Sequence, residues 1–204
     1  MEILIDREKI DIEDAKLHNL EEMLLKIMSE KINPKNVITA VKLNGEFYSE
    51  KFPHDASRVP IREVKKLEIN TMSSEDMAWY FLIKSGDHLD QMVENARMVS
   101  ELFRVSEESE ANEKYAEFVE SLRLFWQMVN EVQTILNLDL RTIAFQEGTV
   151  EDRVQKLSGL MDQMIKVQEE EDWVMLADLL NYELIPLLQE WKEIINLLKG
   201  RRAN

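Results

Sequence analysis

Cysteine is absent from the 204-residue chain, which excludes a disulfide framework, a thiol nucleophile and any zinc site built on Cys. Glycine is scarce: five residues lie scattered, with no GxGxxG or GxxxxGK run to cradle a phosphate. Histidine occurs three times, as His18, His54 and His88. None stands in a Ser-His-acid or Cys-His context, so nucleophilic catalysis finds little support. The Glu-x-x-His pairs of di-iron bundles are missing as well; Ser85 is the residue three before His88. No apolar run approaches the roughly 18–20 residues that span a bilayer. The opening Met-Glu-Ile-Leu-Ile-Asp-Arg-Glu brings charge too early for a signal-peptide apolar core. These absences lead us to expect a cytoplasmic protein without a cofactor.

What is present describes a folded chain, with 45% apolar and 32% charged residues. The net charge of −15 is unevenly placed. Residues 1–72 hold 14 acidic against 12 basic side chains, and residues 73–204 hold 26 against 13. So acidic a chain repels phosphate backbones and anionic bilayers, and neither nucleic acid nor membrane is an expected partner. The shift in charge coincides with a shift in hydrophobic period. This predicts two domains, a small α+β domain over 1–72 and an acidic four-helix bundle over 73–204.

In the first domain, Glu2 to Asp6 alternates around Ile3 and Ile5 as a short strand, with a second short strand at Lys9–Ile12. Leu20, Met23, Leu24, Ile27 and Met28 recur at helical spacing until Asn33-Pro34 stops the helix. Val37 to Leu43, Asn44-Gly45 and Glu46 to Tyr48 predict a hairpin, because a type I′ turn needs φ > 0 at both central residues. A loop with Pro53 and Pro60 leads to a last strand over Val64 to Thr71, with Leu67, Ile69 and Thr71 on one side. This order of elements resembles the β-grasp, the ubiquitin-like arrangement. A modifier or sulfur carrier of that kind would end its head in exposed Gly-Gly. Here Met72-Ser73-Ser74 runs straight into a helix, which excludes conjugation chemistry.

Four helices are expected after it. Ser73 with Asp76 marks the first start, and its inward face is read as Met77, Tyr80, Phe81, Met92, Ala96, Val99 and Phe103. The polar stretch Ser106 to Asn112 is read as a turn. Phe118, Leu122, Phe125, Val129, Val132 and Leu136 form the stripe of the second helix. Asn137 to Gly148 is expected as loop; Thr149 with Asp152 opens the third helix, with Val150, Val154, Leu157, Met161, Met164 and Ile165 inward. Acids at 169–172 suit the positive end of the fourth helix, whose core stripe runs from Trp173 through Leu184 and Trp191 to Leu198. Such helices with short connections pack as an antiparallel bundle.

Two features of the bundle point toward function. Glu110, Glu113, Glu117 and Glu120 share one face of the second helix, and Glu113, Glu117 and Glu120 are the candidate Mg²⁺ ligands. This double Glu-x-x-Glu pattern, with Glu169-x-x-Asp172 further on, resembles all-α nucleotide pyrophosphohydrolases of the MazG and dUTPase type. In that family an ExxE and an ExxD pair come from neighbouring helices. The separation is longer here and Asp172 falls at a turn, so the ordinary solvated helix face is the stronger reading, and no metal is assigned.

The second feature is surplus apolar surface. Met175, Leu179, Tyr182 and Pro186 recur on a side of the fourth helix nearly opposite its core stripe, and Leu124 and Met128 continue the outer face of the second helix. A helix apolar on two faces must bury both. Pro186 removes a hydrogen bond to the Tyr182 carbonyl and should kink its helix. Eleven methionines suit an adaptable recognition surface. The expectation is a non-enzymatic interaction module, binding a partner helix or a second copy through Met175, Leu179, Tyr182, Pro186, Leu124 and Met128. A small, acidic, Cys-free, methionine-bearing helical chain is similar in type to flagellar and type III export chaperones. The alternatives are a Mg²⁺-dependent all-α hydrolase and a structural homodimer.

Overall fold

The computed structural model describes residues 1–13, 16–48, 56–105 and 108–202. Pro53, His54 and the Ser106 end of the expected turn lie outside the described residues. The chain is mixed α+β, an N-terminal five-stranded sheet followed by helices, and divides into Met1–Met77 and Ala78–Asn204.

In the first unit, β1 (Glu2–Ile5) and β2 (Glu8–Ile10) form an antiparallel hairpin. Its turn residues Asp6 and Arg7 both hold positive φ, 49° and 73°. The Asp6 carboxylate fixes that turn by accepting from the Thr71 backbone N–H at 2.7 Å and the Thr71 hydroxyl at 2.6 Å. Helix α1 (Leu20–Glu30) starts where the Asn19 side chain accepts from the Glu22 N–H at 2.9 Å. Strands β3 (Asn36–Leu43) and β4 (Glu46–Phe47) meet at Asn44-Gly45, with φ of 53° and 93°, as the hairpin signal predicts. Strand β5 (Lys66–Ser73) completes the order β2-β1-β5-β3-β4, parallel to β1 and antiparallel to β3. The buried side of α1, Leu20, Met23, Leu24 and Ile27, closes over Ile3, Val41, Leu67 and Ile69.

Helix α2 (Ser74–Arg104) follows β5 without a break. The Ser73 hydroxyl accepts from the Asp76 N–H at 3.0 Å, the side-chain cap expected there, and donates to the Asp76 carboxylate at 2.8 Å. Helix α3 (Glu108–Ile135) begins earlier than the polar stretch suggests, because Ala111 is already buried and recruits that stretch into the first turns. Helix α4 (Val150–Glu169) opens on a capping box between Thr149 and Asp152. The Asn137–Gly148 segment is more than loop. It holds a short 3-10 turn (Leu140–Thr142) and a small hairpin of β6 (Ala144–Phe145) and β7 (Gly148–Thr149). Leu140, Ile143 and Phe145 from this segment are buried in the helical core.

The last helical run comprises α5 (Trp173–Asp178), a π-helical segment (Leu179–Leu184) and α6 (Ile185–Arg202). Pro186 is not an isolated break in it. The wider π pattern, in which the Ile185 N–H donates to the Leu180 carbonyl, stands immediately before the proline. One core draws on every helix of this unit, with Trp191 edge-on to Phe125 at 5.5 Å and Phe103 stacked on Trp173 at 5.2 Å.

A candidate docking groove between two helices

Helices α2 and α3 run antiparallel. The end of α2 meets the start of α3, where the Phe103 and Tyr115 rings lie edge-on at 5.8 Å, and the first half of α2 lies beside the middle of α3. The last helical run pairs with α2 in the same sense. Ser100 donates to the Ala177 carbonyl at 3.0 Å, Lys192 reaches Asp90 at 2.5 Å, and Arg202 covers the Trp79 ring.

The inward face of α2 comprises Ala78, Trp79, Leu82, Ser85, Leu89, Met92, Val93, Ala96, Val99, Ser100 and Phe103. Tyr80 and Phe81, expected inside, are 50% and 51% exposed and form an edge-on pair at 5.8 Å. Trp79 and Leu82 occupy the core register instead, one residue to either side. Ile165 of α4 is also turned outward, at 52% exposure, while Leu160 and Val167 fill the core.

Because Phe81 and Leu124 stay out of the core, a groove of about 210 Å³ opens between the two helices. From α2 it is lined by Phe81, Lys84 and His88, with Ser85 at its floor. From α3 it is lined by Leu124, Phe125 and Met128. The Ser85 hydroxyl is satisfied within α2 by the Leu82 carbonyl at 2.8 Å, so the floor offers no hungry donor. The volume is below the roughly 300–1,000 Å³ of small-molecule sites. It suits one or two apolar side chains from a helix laid along the groove.

The other surplus face resolves differently. Met175, Tyr182 and Pro186 remain exposed, but Leu179 is only 4% exposed and belongs to the core. Its assignment to the outer face assumed about 100° of rotation per residue throughout. The π segment rotates less per residue and swings Leu179 inward. Tyr182 lies under the Arg104 guanidinium at 5.7 Å, and Arg104 is tied to Asp178 at 2.5 Å. Phe81 and Arg104 lie toward opposite ends of α2, roughly 35 Å apart at 1.5 Å rise per residue. Leu124, which lines the groove with Phe81, therefore does not share one patch with Tyr182.

The acidic face of α3 does not converge. Glu117 is bridged to Lys114 at 3.0 Å and Glu120 to Arg123 at 2.7 Å, each within the helix. The Arg123 hydrogen bonds hold the Glu120 carboxyl below its usual range. Among the described residues no three carboxylates or histidines come close enough to hold a metal ion. Two larger hollows lack the form of a site. One, beside Trp126, Asn130 and Thr134, has all its described lining on α3 and so no opposite wall. The other, among Asn137, Asp139, Arg141 and Glu151, is polar and occupied by the Asp139–Arg141 pair at 2.8 Å. Among the described residues no helix is long and apolar enough to cross a membrane.

Residues 80–194 match the family model DUF8042, a domain of unknown function, and residues 2–72 match a second such model, DUF8043. No curated protein and no solved structure matches the chain.

Proposed function

The chain belongs to the DUF8042 family, and from that premise we propose that it is a non-enzymatic interaction module of adaptor or export-chaperone type, seating a partner helix in the α2–α3 groove. The observation that carries this reading is the groove itself. Three large apolar side chains, Phe81, Leu124 and Met128, flank a groove of about 210 Å³ that the chain's own core leaves unfilled. Methionine in that wall suits a surface that repacks against its partner. The strand order supports reading residues 1–72 as a β-grasp-like head, and the antiparallel pairings support reading residues 73–204 as a four-helix bundle. In this reading the protein works in the cytoplasm on protein partners, without nucleic acid, membrane or cofactor.

The test is affinity capture from native lysate with wild type and Leu124→Glu side by side. A partner held by wild type and lost from the variant, with equal helicity by circular dichroism, supports the module. Equal capture by both removes the groove from the function. Sedimentation at twice the 24.1 kDa chain mass, abolished by Leu124→Glu, would make the occupant a second copy instead.

A further inference from the structure

Trp191 of α6 is 2% exposed, and its indole Nε1–H has no hydrogen-bond partner among the described residues. A buried donor left unpaired carries its full desolvation cost, and native interiors rarely leave one so. The Phe125 ring stands edge-on to the indole at 5.5 Å, and an N–H···π contact there would be a weak substitute. The same indole lines a cavity of about 10 Å³ in the helical core. Apart from Trp191 and the half-buried Gln133 of α3, the lining of that cavity is aliphatic. The Gln133 side-chain amide also makes no hydrogen bond to another described residue. About 10 Å³ is the room one water molecule takes, and too little for a larger ligand. A purely apolar cavity of this kind stays dry, because a buried water needs at least two polar partners. Here two stand on its wall. Gln133 and Leu138 also line the polar hollow beside Asp139 and Arg141, which brings solvent to the mouth of the cavity.

We infer that this cavity is a binding site for one ordered water, which accepts from the Trp191 Nε1–H and donates to the Gln133 side-chain oxygen. Both polar groups are then satisfied, and the water links α6 to α3 beside Leu138 and Leu140. The site stands apart from the α2–α3 groove, so it holds whatever occupies that groove.

Nuclear magnetic resonance of the isotope-labelled full chain tests this, with the indole signals of the four tryptophans assigned in wild type. The expected result is an Overhauser cross-peak between the Trp191 indole proton and water, opposite in sign to its rotating-frame counterpart, as long-lived bound water gives. Gln133→Met, of nearly the same shape but without the amide, should remove that cross-peak. Gln133→Leu should do the same and serves as the second variant. Absence of the cross-peak from wild type overturns the site. An indole proton shifted far upfield with no water contact assigns the donor to the Phe125 ring instead. A cross-peak that persists undiminished in both variants overturns the bridge to Gln133.

Discussion

The two surplus apolar faces of the helical unit have opposite fates. On the last helical run, Leu179 leaves the outer face for the core through a π segment, and Tyr182 is capped by an arginine already tied to an aspartate. On α2 and α3 no such device operates: Phe81 and Leu124 stay half exposed with a channel between them. Both faces look alike as spacing in the sequence. The difference teaches that an apolar stripe read from spacing stays on one face only where the backbone keeps its regular twist, because a π insertion re-aims the side chains that would have lined it.

Substitution at matched positions should separate the faces most sharply. Leu179→Ala removes a side chain that is 4% exposed and should cost about 2–5 kcal/mol. Leu179→Glu, which would bury an unpaired charge, should prevent the helical unit from folding. Leu124→Glu acts at a side chain that is 50% exposed and should change stability by about 0.5 kcal/mol or less. Urea unfolding followed by circular dichroism reads all three. Comparable losses at the two positions would erase the distinction.

Much of the fold was legible because local chemistry agreed with the tertiary outcome. Asn44-Gly45, Ser73 with Asp76, and Thr149 with Asp152 each supply the turn or cap that their residue types suggest. The Asp6-Arg7 turn was harder to read, since arginine is a poor left-handed residue and the turn depends on Asp6 bonding to Thr71 far along the chain. The core stripe of α3 was legible as an uninterrupted 3.6-residue series. That of α2 was not, because Ser85 and Gly86 break the apolar pattern midway. Carried back from Phe103 through Ala96, Met92 and Leu89, the same spacing reaches Leu82 and Trp79 and leaves Phe81 outside. That extrapolation was the available signal for the groove. Of the expected interaction residues, Leu124 and Met128 line it, and Leu179 was misplaced because nothing in the local spacing announces a π segment.

The side of the unit away from the groove should tolerate a medium-sized perturbation without altering docking. Thr149 caps α4, whose Arg153 pairs with Glu190 of α6 at 2.7 Å. Thr149→Ala should cost about 1 kcal/mol. The Asp152 carboxyl is held below its ordinary value, first by the Thr149 backbone N–H and then by the Thr149 hydroxyl. A depressed folded-state value means this support is present above the ordinary aspartate range and is lost as pH falls through the lowered value. The wild-type advantage over Asp152→Asn should therefore shrink on acidification below about pH 4. Thermal melts at pH 7 and pH 3 measure it. Partner capture at the groove should be unchanged in Thr149→Ala.

A small effect is also expected at Pro186, and it probes why the two faces differ. Proline inside a regular α-helix costs about 3 kcal/mol through its lost donor and its clash with the carbonyl four residues back. Here that carbonyl belongs to Tyr182, inside the π segment, where the hydrogen-bond pattern has already widened. If the π segment absorbs the proline, Pro186→Ala should change stability by less than about 1 kcal/mol, since the relief available is small. If instead the proline forces the π geometry, Pro186→Ala lets the run relax to regular α-helix and turns Leu179 back toward solvent. Amide hydrogen exchange across Leu179–Leu184 distinguishes these outcomes. Unchanged protection with near-neutral stability assigns the π segment to core packing around Leu179 and Leu180. Altered protection with a large stability change assigns it to Pro186 and makes the burial of Leu179 a consequence of one imino acid.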